Sequence, residues 1–310
     1  MERKLATRLT VSEFNFIHDL RSLSDPNHAL NFEDDAATLP AADVICTDTL
    51  VETVHFLGTE PPQALAHKVL AVNVSDVVSM NARATHALLN LSLPKACDSA
   101  WRAGFIEGLE RACAGFGLRL LGGDTTRSPG PLVLTATVTG VLEGRTLWQR
   151  SGARLGDKVC VGGRIGRGAL GLRDMLNGRA DTAMAEHFQC PRPRLDLLGS
   201  EGVGGCADVS DGLIADLAHI CRASGVCAVL DLDAVPFAEP SEDWAQQVTG
   251  GDDYQLVFTL RPDMPVPPGC AVVGEVVEEG VEPHANQPVI LKGPRAAVEA
   301  AQTKTGFVHF

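Results

Sequence analysis

The sequence predicts an α/β (α+β) protein in two domains of comparable size, and three observations carry this. Short apolar or alternating runs such as VICTDTL and LVLTATVTGVL are interleaved with longer runs of helical character. The chain has 310 residues, more than one hydrophobic core usually serves. The Gly- and Arg-rich run GRTLWQRSGARLGD interrupts the alternation and places a boundary near residues 143–157. The expected division is 1–145 and 146–310.

Taken in order, an opening helix is expected over about residues 11–24. AATLP and DVICTDTL follow as strands, and PPQALAHKVLAVNVSDVVSMNA as a helix. THALLNLSLP reads as a strand, WRAGFIEGLERACAGFG as a helix closed by glycine, and LVLTATVTGVL as a strand. Beyond the boundary KVCVGG, the helical GALGLRDML, CADV, the helical GLIADLAHICRASG, CAVLDLDAV, YQLVFTL and CAVVGEVV resume the pattern. PDMPVPPGC is a surface connection and PHANQPVILKG ends on a strand. There is no repeat at solenoid period.

Composition excludes several classes of function. A hydrophobic content of 45% with 21% charged residues is that of a soluble globular protein, and no apolar run approaches the roughly 18 residues of a membrane helix. MERKLATRLTVSEF is too polar for a signal peptide, so a cytoplasmic protein without a membrane partner is expected. The 9 cysteines are scattered singly with no C-x-x-C, which reads as reduced thiols. With 26 basic and 39 acidic side chains the net charge is −13, which disfavours nucleic acid and suits a cationic ligand or divalent metals.

The chemistry is concentrated in aspartates. Asp34 and Asp35 lie in FEDDAATL, Asp48 in VICTDTL, Asp76 in NVSDVV, Asp124 in LLGGDTT, and Asp208 and Asp211 in CADVSDGL. Most follow an apolar run and sit beside small or hydroxyl residues, where a rigid carboxylate can face a shared cleft and offer oxygen to Mg²⁺. Any one alone also suits a helix cap or turn. Asp76 is the only charge between Lys68 and Arg83 in a helix of Val, Ala, Ser, Met and Asn, and a carboxylate there needs a cation or strong donors. In CADVSDGL, Ser210 or Asp211 can cap the following helix, which leaves a surplus of oxygen ligands for metal or nucleotide. LLGGDTTR offers flexible glycines, Thr125, Thr126 and Arg127, which with Arg150 suit a polyphosphate.

Other motifs lead nowhere. GRGALG at 166–171 has the G-x-G-x-x-G form and follows KVCVGG, but the acidic residue expected about 20 positions on falls near Pro191. There is no P-loop, no protein-kinase motif set and no nucleophile elbow. His55 in ETVHFL alternates with apolar residues, and no pair of histidines has zinc spacing.

The ordered set DDAATL, TDTLVETVHF, HKVLAVNVSDVVSM, LLGGDTT, RSGARLGD, DVSDGL, TGGDDYQL and GFVHF resembles thiamine-monophosphate kinase. That family shares a superfamily with aminoimidazole ribonucleotide synthetase. The resemblance implies a two-domain fold of that kind, with an N-terminal sheet domain through which two subunits associate and a C-terminal α/β domain closing the site. It implies transfer of the γ-phosphoryl of ATP to thiamine monophosphate with several Mg²⁺ ions and no general base. Carried over by motif, Asp34, Asp35, Asp48, Asp76, Asp124, Asp208 and Asp211, with Thr47, would hold metal. Gly123, Asp124, Arg150 and Ser210 would lie along ATP, and His55, Asp252 and Phe307 would face the thiamine phosphate. The chain departs from the family pattern at Glu33, Cys46 and Gln255. Another ATP-using synthetase of the superfamily and a non-catalytic nucleotide- or thiamine phosphate-binding paralogue are the alternatives.

Overall fold

The computed structural model describes residues 34, 37–38, 44–240, 244–278, 288–294 and 298. The opening helix, Asp35, Phe307 and the run 279–287 lie outside the described residues. Two sheets are present, with strand orders β1-β2-β5-β3-β4 and β11-β8-β10-β6-β9-β7.

The first sheet is built from β1 (Ala37–Thr38), β2 (Val44–Val51), β3 (Ala82–Leu93), β4 (Arg119–Arg127) and β5 (Val133–Leu142). β2 and β3 run antiparallel to the central β5, and β4 joins β3 in parallel. Alternation along β5 puts Leu134, Ala136 and Val138 into the core and leaves Thr135, Thr137 and Thr139 partly exposed on the other face. The register aligns Thr49, Thr135, Asn90 and Asp124 in one row across four strands.

The apolar face of this sheet is covered by α1 (Pro62–Ser79). α1 is apolar nearly all round, the pattern of a helix with packed neighbours on every side. It packs against β2, β3 and β5, against α2 (Ser99–Phe116), and against β7 (Val203–Asp208) of the second sheet. α2 starts with Asp98 accepting from the Trp101 amide and ends on Gly117 in the left-handed region, as its closing glycine predicts.

The second sheet contains β6 (Lys158–Gly162), β7, β8 (Cys227–Asp231), β9 (Leu256–Leu260), β10 (Cys270–Val277) and β11 (Val289–Lys292). Every residue of β9 is buried, because both faces of the sheet are covered. On one side α5 (Leu213–Ser224) packs Leu213, Leu217 and Ile220 into a cluster with Val159, Val161 and Val257. On the other side Cys160, Cys206, Leu256 and Phe258 join the cluster that contains α1 and the first sheet. One of the two apolar clusters therefore spans both sheets, and the other lies on the α5 side of the second sheet. Three further helices are α3 (Arg167–Leu176), α4 (Ala183–Gln189) and α6 (Trp244–Thr249). All 9 cysteines are unpaired, and no described helix is long and apolar enough to cross a membrane.

LLGGDTTR is not the flexible loop or turn that its glycines suggest. It is the edge strand β4, exposed throughout. Gly123 is required there by close approach: a Cβ on it would lie 1.8 Å from the Leu89 carbonyl oxygen of β3.

Candidate active site

A cavity of about 1000 Å³ opens where the two lobes meet. β2 delivers Asp48 to it from the core-facing side of the strand, α1 delivers Asp76, and the C-terminal end of β7 with the following turn delivers Asp208, Ser210 and Asp211. The Ser75 hydroxyl, one residue before Asp76, donates to Asp208 Oδ2 at 2.6 Å and ties α1 to β7.

The electrostatics of this cluster are those of carboxylates held together against their charge. Burial, then the neighbouring charges of Asp48 and Asp208, pushes Asp76 well above the usual carboxylate range. Burial likewise raises Asp48. Asp208 is raised to about 7, mainly by burial, although the Ser75 hydroxyl and the Arg150 charge act in the opposite sense. Such a set gains by taking up divalent cations, which supply the counter-charge that the protein leaves out. The donor set is all oxygen, as Mg²⁺ prefers.

The helix start after β7 is arranged differently from the sequence expectation. Neither Ser210 nor Asp211 caps α5; the N-cap is Gly212, at φ 119°, with no side-chain cap. Asp216, one turn inside, reaches back and accepts from the amides of Asp211 and Gly212, both at 3.1 Å. Asp211 lines the cavity. Asp211, Asp216 and His219 bring ligand-type atoms within 4.8 Å of one another, a second group able to hold a cation.

The cavity wall away from these carboxylates comes from three elements. His55 lies in the loop after β2, Phe188 on α4 and Asp252 in the loop before β9. The Val51 amide donates to His55 Nδ1 at 3.0 Å, which fixes a neutral His55 with its proton on Nε2. Asp252 and Tyr254 both have left-handed backbones, at φ 64° and 48°, and the Tyr254 hydroxyl donates to Asp252 Oδ1 at 2.9 Å. The Asp252 amide in turn donates to the Ser210 carbonyl at 2.9 Å, so this loop is laid directly on the DVSDGL turn.

The neighbouring Asp253 faces the other way. Its carboxylate accepts from the amides of Gly166 and Gly168 at 2.6 and 2.9 Å, at the start of α3. The GRGALG turn thus has its amides taken up by a carboxyl group of the protein itself, raised to about 7 mainly by burial, in the place a dinucleotide phosphate would need.

Thr47 also borders the cavity, with its hydroxyl donating to the Ala136 carbonyl at 2.9 Å. Asp34 Oδ1 accepts from the Arg150 amide at 2.6 Å, so both lie close to the cluster without lining the cavity. Gly123 and Asp124 are not brought to the cavity within one chain. They stand on the exposed β4, where the Asp124 amide donates to Asn90 Oδ1 at 3.0 Å.

Lys68, Phe188, Tyr254 and Asp216 were not singled out by sequence reasoning. The signal for Lys68 was present: a lysine inside an apolar helix raises the same question as Asp76, and it is 1% exposed.

Fold and cavity together define a protein of the aminoimidazole ribonucleotide synthetase type, and residues 33–142 match the family of "AIR synthase related protein, N-terminal domain". The thiamine-monophosphate kinase of Caulobacter vibrioides is 38% identical over 255 residues, covering 76% of this chain and 72% of the relative. The solved structure of AaThiL complexed with AMPPCP and TMP superposes with a TM-score of 0.85 at 26% identity, covering 99% of this chain and 100% of that one. The thiamine-monophosphate kinase structure from Stenotrophomonas maltophilia K279a gives 0.71 at 32% identity, covering 90% and 96%. The chain belongs to the thiamine-monophosphate kinase family, whose members are phosphotransferases.

Proposed function

We propose that this chain transfers the γ-phosphoryl of ATP to thiamine monophosphate, giving thiamine diphosphate and ADP, in the cytoplasm. The observation that carries the reading is the convergence of Asp48, Asp76, Asp208 and Asp211 on one cavity that also presents His55 and Asp252. AaThiL, which has this fold, is known complexed with AMPPCP and TMP.

In this reading Asp48, Asp76, Asp208 and Asp211 hold Mg²⁺, with Asp34 and Thr47 beside them. Bound Mg²⁺ would supply the positive charge that lets two polyanions approach. The acceptor is a phosphate monoester whose second pKa is about 6, so its attacking oxygen is already ionised at neutral pH and no side chain has to remove a proton. The remaining task of the chain is alignment for an in-line transfer. Ser210 and Arg150 serve the nucleotide. His55 offers its Nε2–H to the thiamine phosphate, and Asp252 answers the positive charge of the thiazolium.

Gly123 and Asp124 are assigned to ATP and metal through their motif. Their position on an open sheet edge supports a homodimer formed through the exposed face of the first sheet, with the site completed by association.

The test is incubation of the purified chain with Mg-ATP and thiamine monophosphate, with thiamine and buffer as control acceptors. Equimolar thiamine diphosphate and ADP are expected. ADP formed without a phosphorylated thiamine, or no ADP at all, would overturn the assignment.

A further inference from the structure

We propose that Lys68 is a positioning residue for the thiamine phosphate, one buried ammonium that sets the wall formed by His55, Phe188 and Asp252. This rests on the reading of that wall as the acceptor site. Lys68 Nζ donates to the His55 carbonyl at 3.1 Å and pairs with Asp252 Oδ2 at 3.3 Å. It also stands 3.8 Å from the centre of the Phe188 ring. These three partners come from different parts of the chain, His55 after a strand of the first sheet and Phe188 and Asp252 from the part that carries the second, and all three line the cavity.

Lys68 itself does not line the cavity and is 1% exposed, so it acts through its partners and not on the ligand. A buried ammonium is strongly disfavoured unless its donors are met. Each of its contacts therefore constrains the wall. Asp252 is the member most in need of restraint, because its left-handed backbone is a conformation that a non-glycine residue keeps only where its surroundings impose it. Lys68 holds one carboxylate oxygen and Tyr254 the other, which fixes the plane of the carboxylate. The same ammonium fixes the backbone of His55, and with it the direction of the imidazole. α1 thus carries both tasks on one helix, Asp76 toward the carboxylate cluster and Lys68, two turns earlier, toward the acceptor wall.

The experiment compares steady-state KM for thiamine monophosphate and for ATP in wild type, Lys68→Met, Asp252→Asn and the double variant. Lys68→Met is expected to raise KM for thiamine monophosphate about tenfold to a hundredfold and to leave that for ATP within about twofold. In the double variant the rise should be no greater than in Asp252→Asn alone, since the two residues act as one unit. Should Lys68→Met fail to fold, Lys68→Gln, which keeps a donor and most of the volume, carries the same measurement. An unchanged KM for thiamine monophosphate in the lysine variant, beside a raised one in Asp252→Asn, would sink the role of Lys68 alone. Equal rises in both KM values would reduce it to a structural residue. If Asp252→Asn and His55→Ala both leave KM for thiamine monophosphate unchanged, the reading of the wall fails first.

Discussion

Asp76 faces the cavity from α1, and burial, with the charges of Asp48 and Asp208 beside it, makes its ionised form costly. Asp76→Asn keeps the shape and removes the repulsion. Turnover should fall about a hundredfold or more, while the melting temperature in metal-free buffer should not fall. An ADP-release assay beside a melting curve checks both. His187 offers a pH test outside the cluster of Asp48, Asp76, Asp208 and Asp211, although the charges of Arg167, Asp252 and Arg192 also reach it. It is buried with its Nε2 3.0 Å from the Asp253 carbonyl, and burial lowers it from the usual 6.5 to about 4. Its folded value lies below its unfolded one, so the unfolded chain takes up the proton first. The stability from neutral His187 is complete above pH 6.5 and is lost as pH falls toward 4. The loss is at most about 1.4 kcal/mol per pH unit. His187→Gln should gain on wild type across that window and not above it, as read by urea unfolding at a series of pH values.

Among the elements, the loop before β9 is the most exacting. A Cβ on Gly251 would lie 2.0 Å from the Ser210 carbonyl oxygen, so Gly251→Ala must push the Asp252 loop off the DVSDGL turn. The expected result is a loss of stability of about 1–3 kcal/mol with a loss of activity larger than that loss explains, measured as activity per folded molecule well below the melting point. The long elements were legible in the sequence: α1 from the length of its apolar run, α2 from its closing glycine, and β5 from its alternation. β4 was not, because a strand with no buried residue has no alternation to detect, and its paired glycines suggest a turn. The cap of α5 was misplaced because Asp216 lies inside the helix and reaches backward, a contact that propensity at the first position does not reveal. Of the site, Asp208 was readable as an aspartate at a strand end and Asp76 as one within an apolar helix, whereas Asp48 lies inside β2 and not after it, as its run had suggested. The roles of His55 and Asp252 came from family resemblance, since an alternating histidine and a loop aspartate have no distinctive pattern of their own.

At the scale of the whole molecule, the cluster shared by the two sheets and the bonds from α1 to the part that carries the second sheet tie the two walls of the cavity together. His67 bonds to the Pro191 carbonyl at 2.8 Å, Lys68 to Asp252, and Ser75 to Asp208, along one rigid helix. The uncovered face of the first sheet is where a second copy would sit. Leu121 on β4 is 65% exposed, with Leu120 and Leu88 also exposed. Leu121→Glu is expected to shift a dimer toward monomer by about tenfold or more in dissociation constant, read by light scattering across a dilution series; a monomeric wild type would remove the homodimer. The open edge of β4 also bears on handling. In a dimer formed as proposed above, a parted chain would offer a bare row of amides and carbonyls beside exposed leucines, a template for any other chain that drifts onto it. Very dilute stocks would then lose activity irreversibly with standing time, and concentrating them afterwards would collect aggregate instead of restoring catalyst.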